Sequence, residues 1–232
     1  MPVLMEIQKK SQKWPSDVPR LPLDRDRIAR TALALIDEHG IDQLTMRRLG
    51  AELGVEAMAL YHYFQNKTSL LDRVLDTLLA QLADALPPDE EEPLPRIRHI
   101  FLALRRLSIE HPQAFVSVIQ RRFRNQRALV FFEHLLELFH RAGLNVEQSA
   151  RYYRVLINFT LGGGIVEPGS GNPEDLPKQI DDSKQEKYPR VKATMPYLHE
   201  SQLDPIFRFG LDLVLAALKN ELAGGPPPAT CG

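Results

Sequence analysis

An all-α fold is predicted for this chain, on three observations. Apolar residues recur at intervals of three and four along nearly every segment. No segment sustains the two-residue alternation of a half-buried strand. Capping residues stand where the periodic runs begin and end. In the first run, Ile28, Ala32, Leu35 and Ile36 share one face, and Gly40 follows as a C-cap. Thr45 is placed to N-cap a short helix over Thr45 to Leu53 with Met46, Leu49 and Leu53 inward. Gly54-Val55 turns the chain into a second short helix ending near Phe64. Asn66 then caps a long helix whose inward face carries Leu71, Val74 or Leu75, Leu78, Leu82 and Leu86.

The expected organisation is a tail over 1–22, a three-helix head with its connecting helix over 23–86, a linker over 87–95, a larger helical domain over 96–223, and a tail over 224–232. The linker reads PPDEEEPLP, acidic and proline-rich. Beyond it, helices are expected at Ile97 to Glu110, Pro112 to Phe123, Gln126 to Ala142, Val146 to Leu161 and Pro205 to Leu222. Gly143 and Asn145 punctuate the middle ones. Residues 162–203 read as irregular, and Gly162-Gly163-Gly164 reads as a helix terminus where backbone approaches closely.

Composition narrows the function only by exclusion. The chain has 232 residues, 44% hydrophobic and 25% charged, with a net charge of −1. That is ordinary globular composition, and DNA binding would need a local cationic face rather than an overall basic balance. No apolar run reaches the ~18 to 20 residues of a membrane span. The first twenty residues lack the apolar core of a secretory signal, and the single cysteine, Cys231, offers neither a disulfide framework nor a thiolate metal cluster. A cytoplasmic location and no membrane partner are expected. None of H-E-x-x-H, G-x-S-x-G, G-x-G-x-x-G or a P-loop is present, so no enzyme chemistry, cofactor or metal site is expected.

Two short helices joined at Gly54-Val55 have the spacing of a helix-turn-helix, which lays its second helix in the major groove. The stretch Leu44 to Leu71, LTMRRLGAELGVEAMALYHYFQNKTSLL, resembles the TetR family of transcriptional regulators. The matching features are Leu-Thr before the first short helix, L-G-V at the turn, L-Y-H-Y-F in the reading helix, and N-K-x-x-L-L after it. The resemblance implies that Thr45, Tyr61 and Lys67 hold phosphates and that Arg47 reaches a base edge, where a guanidinium pairs bidentately with guanine. Arg48 and His62 are expected to touch the backbone; the alternative is that Arg47, Arg48 and His62 are solvated surface residues. In the reading helix Ala57, Met58 and Ala59 offer contact to thymine methyls and Glu56 can accept from cytosine, or all four are simple helix formers. Lys9, Lys10, Lys13 and Arg20 form either an arm on DNA or a solubilising tail.

The resemblance continues into the larger domain. NFTLGGGIVE (158–167) and DPIFRFGLDLVLAALKNEL (204–222) are similar to the C-terminal domain of the tetracycline-repressor subgroup. This implies a ligand-binding and dimerisation domain, with double-stranded operator DNA, a small-molecule effector and a second copy of the chain as partners. Periodicity agrees on the last point. Ile206, Phe209, Leu213 and Ala217 form one apolar face of the last helix, while Leu211, Val214, Leu215, Leu218 and Leu222 cover much of the rest. Such a helix needs burial on two sides, either in a homodimer or wholly inside one core.

The candidate pocket set is Ala83, Ile100, Leu104, Phe115, Val118, Arg122, Phe131, His134, Asn158, Phe159 and Glu167. Arg122, His134, Asn158 and Glu167 are its polar members. Ungapped comparison with the tetracycline repressor puts Val118 at its metal-binding histidine, Ala83 at a histidine that bonds the drug, and Ile100 at an asparagine. The expected effector is therefore an unidentified molecule other than a magnesium–tetracycline chelate, unless His111 or His134 replaces the missing ligand.

Overall fold

In the computed structural model, residues 22–87, 92–119, 121–166, 187–194, 197 and 203–225 are described. All regular structure among them is helical. The helices are α1 (Arg25–His39), α2 (Met46–Leu53), α3 (Ala57–Tyr61), α4 (Lys67–Asp84), α5 (Pro93–Glu110), α6 (Pro112–Ile119), α7 (Gln126–Arg141), α8 (Val146–Val166), α9 (Pro189–Thr194) and α10 (Leu203–Leu222). Single turns of 3-10 helix stand at Ile41–Gln43 and Arg122–Arg124.

Local chemistry sets most of the boundaries. The Asp24 carboxylate accepts from Arg27 N at 2.7 Å and starts α1; Gly40, at φ 82°, ends it. Thr45 accepts from Arg48 N at 3.1 Å and starts α2. Asn66 and Ser69 form a reciprocal capping box at the head of α4. Asn125 accepts from Ala128 N at 2.8 Å and starts α7.

Four segments differ from the sequence reading. Helix α5 begins at Pro93, inside the expected linker, because proline at a helix start lacks only an N–H that would have no intrahelical partner. Helix α6 stops at Ile119, and the chain passes through the 3-10 turn before α7. The glycine run does not end α8, which continues to Val166. Gly162 has no neighbour within 4 Å of where a Cβ would stand, so close backbone approach is not its role there. Helical glycine costs only about 1 kcal/mol relative to alanine, and a long packed helix carries it. Helix α9 also falls within the stretch read as irregular. The two tails lie mostly outside the described residues, the lysines of 1–21 among them.

One apolar core runs from the three-helix head into the larger domain. Helix α4 joins them: Leu70, Leu71, Val74, Leu75, Leu78, Leu79 and Leu82 are all buried. It packs against α1 in the head and against α5, α6 and α7 beyond it. Helix α10 has two apolar faces. Phe207, Leu211, Leu215 and Leu218 are buried against α5 and α8, whereas Ile206, Phe209 and Leu213 point outward. Arg98 pairs with Asp212 at 2.6 Å, fixing α10 to α5 and holding the Asp212 carboxyl below its ordinary range.

Within the head, α2 meets α3 at a close approach. A Cβ on Gly50 would stand 2.8 Å from the Val55 carbonyl oxygen and 3.2 Å from Ala57 N, backbone atoms that cannot rotate away. Gly54, at φ 69°, makes the turn itself. Gly50→Ala is expected to destabilise the chain by about 1–3 kcal/mol through overpacking, read as a lower melting temperature.

At the far end, Gln148, Arg151 and Tyr152 of α8 all donate to the Glu221 carboxylate of α10. Those bonds, Gln148's foremost, hold the Glu221 carboxyl below its usual value; burial, with Glu221 adding to it, pushes the Tyr152 hydroxyl up to about 12. A depressed carboxyl stabilises the fold above the unfolded carboxylate value of ~4.3 and loses that contribution as pH falls through its own lower pKa. Thermal melts across this acid range should show Glu221→Gln losing less stability on acidification than the parent chain.

Candidate functional site

Two regions concentrate exposed or cavity-lining side chains, one on the head and one in the larger domain. In the head, Leu49, Leu53, Leu60 and Phe64 are buried beneath α2 and α3, which directs the opposite faces outward. Thr45, Arg47, Glu56, Tyr61 and His62 are exposed, and Met58 is 70% exposed. Arg48, Ala57 and Ala59 are half-buried. Beside them Arg25, Tyr61, His62, Tyr63, Gln65 and Ser69 line a depression of about 220 Å³. Arg25 is braced over the Phe64 ring at 4.8 Å, and the Tyr63 hydroxyl donates to Leu23 O at 2.8 Å. Lys67 is half-buried, and its ammonium donates to Ile41 O at 2.8 Å. An ammonium has three donors, so this bond leaves two.

In the larger domain a narrow, partly enclosed cavity of about 40 Å³ lies between α4, α5, α7, α8 and the Arg122–Arg124 turn. Leu75 and Leu79 come from α4, Leu104 from α5, Phe131, Phe132 and Leu135 from α7, and Tyr153 and Ile157 from α8. Its polar edge is Arg122, whose Nε donates to the Tyr153 hydroxyl at 3.1 Å. The Arg122 guanidinium also lies 4.5 Å from the Phe123 ring centroid.

The segment carrying Arg122 and Phe123 is bonded to α4 on both sides. Arg121 pairs with Asp72 at 2.9 Å. The buried amide of Asn125 donates to Asp72 O at 3.1 Å and to Asp76 Oδ1 at 3.0 Å. Asp76 pairs in turn with Arg73, which bonds Asp26 of α1 and holds that carboxyl below its ordinary range. A second clasp ties the α5–α6 corner to the head. His111 Nδ1 lies 2.6 Å from Asp37 of α1, and Nε2 lies 3.1 Å from the Gln81 side chain of α4.

Comparison with known proteins places this geometry. The family described as "Bacterial regulatory proteins, tetR family" matches residues 28–74, and "Tetracyclin repressor-like, C-terminal domain" matches residues 94–222. The chain belongs to the TetR family. It is 36% identical to the tetracycline repressor protein class D of Escherichia coli over 203 residues, covering 86% of this chain and 91% of the relative. A possible TetR family regulator from Streptomyces coelicolor A3(2) superposes with TM-score 0.70 at 30% identity, covering 85% of this chain and 100% of that one. ActR of Streptomyces coelicolor, solved with actinorhodin, superposes with TM-score 0.67 at 26% identity, covering 87% and 99%. The chain is thus a ligand-responsive transcriptional regulator with a DNA-binding helix-turn-helix, in a family of regulators rather than enzymes. No described helix is long and apolar enough to cross a membrane.

This TetR-family chain brings together only part of the expected pocket. Leu104, Arg122 and Phe131 line the narrow cavity. Ile100 and Phe115 are buried in the core instead, away from it. Ala83 is exposed because α4 buries Leu78, Leu79 and Leu82, and one further residue turns to the other side. His134 and Asn158 are exposed for the same reason, each one position from a buried neighbour, Leu135 and Ile157. Phe159 stacks on Phe207 with centroids 4.9 Å apart and lies against Gly210. The Val118 side chain and Glu167 fall outside the described residues.

Sequence reasoning singled out neither Asn125 nor Arg121. Their partners lie about fifty residues away in α4, and no local pattern marks such a pair. Arg25 and Gln65, in the depression beside Tyr61, were also missed.

On the DNA-contact roles expected above, Arg47→Ala should relax preference at one base pair by about 1–3 kcal/mol, read by binding-site selection. Tyr61→Phe should weaken all sequences alike, since phosphate contacts carry no sequence information. Lys67→Met should do the same and also lower the melting temperature by about 2–4 °C, because it unties Ile41 as well.

Proposed function

We propose that the chain is a homodimeric repressor, working in the cytoplasm without catalysis, that holds a palindromic operator and releases it when a small molecule fills the cavity beside Arg122. One observation carries this reading: the segment lining the cavity is hydrogen-bonded to α4, and α4 is bonded through Arg73 to Asp26 of the reading head. A ligand that moves Arg122 and Phe123 therefore pulls on Asp72 and Asp76, and tilts the helix packed against α1 of the head. Coupling of this kind needs a differential affinity of about 1–3 kcal/mol.

Dimerisation is supported by the outward stripe of α10, Ile206, Phe209 and Leu213, and by Val155 on α8. These helices pack together, so a second copy laying the same two helices on them would make an isologous four-helix contact. The two heads would then read half-sites about 34–36 Å apart.

The effector is proposed to need no metal and to differ from magnesium–tetracycline. Neither histidine offered as a replacement for the expected metal ligand lines the cavity: His111 is clasped by Asp37 and Gln81, and His134 is exposed on α7. The cavity wall is aliphatic and aromatic, so the ligand is held mainly by burial, at ~25 cal/mol per Å² of apolar surface.

Three measurements test this. Sedimentation should give a dimer at micromolar concentration; a monomer that binds operator tightly would refute the dimer. Asn125→Ala should weaken the ability of any stabilising ligand to release operator more than it weakens ligand binding. Isothermal titration with tetracycline and magnesium should give no tight binding, and a magnesium-dependent submicromolar complex that frees operator would overturn the ligand assignment.

A further inference from the structure

The narrow cavity is too small for its task. At about 40 Å³ it admits a group the size of a solvent molecule, whereas sites for drug-sized ligands run ~300–1,000 Å³. A second hollow of about 420 Å³ lies immediately outside, an open groove between α7 and α8. Phe123, Phe132 and Tyr153 line both hollows and form the wall between them. The three rings touch in series, with centroids 5.7 Å apart for Phe123 and Phe132 and 4.6 Å for Phe132 and Tyr153.

Phe123 is the movable member. It sits on a 3-10 turn rather than in a long helix and is 50% exposed, while Tyr153 is buried in α8. Rotating it outward gives up the covered half of its surface and its contacts with Phe132 and Arg122, which a ligand ring can replace, and joins the two hollows into a space of ligand size. The opening would leave the faces of Phe132 and Tyr153 lining a slot, with the Arg122 guanidinium at its inner edge. A flat apolar slot ending in a guanidinium suits an aromatic ring that carries an acidic oxygen: the ring takes the place of Phe123, and the oxygen accepts from Arg122.

We propose that the effector is a planar aromatic acid that enters through the α7–α8 groove by displacing Phe123 and sets its anionic oxygen on Arg122. This rests on the reading of the cavity as the effector site. Entry and signalling then share one lever, because Phe123 lies between Arg121 and Asn125, the two residues bonded to α4.

The test uses the full chain and two fluorescent probes of matched shape, 8-anilinonaphthalene-1-sulfonate and its uncharged parent N-phenyl-1-naphthylamine. The folded chain should bind the sulfonate at one site. Ala150→Trp, on the exposed groove wall, should block both probes, and Val146→Trp is the second variant should the first fail to fold. Phe123→Ala should speed association of both. Arg122→Gln should weaken the sulfonate by about tenfold and leave the neutral probe unchanged. No binding by the folded chain, indifference to both groove variants, or equal effects of Arg122→Gln on the two probes would each overturn the proposal. Operator anisotropy in the same samples separates the two ideas: a sulfonate that binds as described without releasing operator sinks the repressor reading and leaves the portal standing.

Discussion

Helix α4 has one buried stripe and two cores to satisfy with it. Its first turns, with Leu70, Leu71 and Val74, lie toward the head, and its later turns, with Leu75 and Leu79, form a wall of the cavity beside Arg122. Each fully buried leucine contributes roughly 1.5–3 kcal/mol, so neither end can leave its core cheaply. A close-packed interior does not deform gradually. On the function proposed here, α4 would move as a rigid rod between a few packings. The rest of the molecule, from the capping box that fixes its start to the clasp at Gln81 near its end, is arranged around that constraint.

On the function proposed here, the polar contacts along α4 would make this rod a sensor. Asp72, Arg73 and Asp76 occupy its other side and bind in opposite directions, toward Arg121 and Asn125 on the cavity side and toward Asp26 on the head side. Asn125 is buried and caps α7 as well, so its bonds cannot simply be exchanged for water. Stretching such a seam is costly until it re-forms elsewhere, which favours two discrete arrangements over a continuum. The His111 clasp adds a second fixed point between the head and the larger domain.

Much of the fold was legible because its signals are local. Thr45, Asn66 and Gly54 each act within three or four residues, and the doubly apolar pattern of Leu203–Leu222 states its own need for two neighbours. The helix-turn-helix string is likewise contiguous. The cavity was legible only in part, because it is assembled from five segments whose relative phase no single stretch encodes. One residue of helical phase separates Ala83, His134 and Asn158, all exposed, from buried neighbours at Leu82, Leu135 and Ile157. Lys67 shows a different limit: a residue type suited to phosphate was already bonded to Ile41, a fact of tertiary geometry alone. Gly50 was passed over because its role is the absence of an atom next to Val55, which leaves no mark in periodicity.

The outward stripe of α10 lies in a different part of the chain from the reading face of α3 and shares no residue with it. If the chain pairs as proposed, loss of the head would leave the two copies joined. On the pairing proposed here, a cell that expresses one damaged and one sound allele equally would build about half of its pairs as mixed assemblies, each with a single working head on a site that asks for two, and only about a quarter with two sound heads. The damaged allele would act dominantly over the sound one. Mutations that roughen the stripe would instead strand single subunits with Ile206, Phe209 and Leu213 bare to water, prone to clumping and proteolysis, and would behave as recessive.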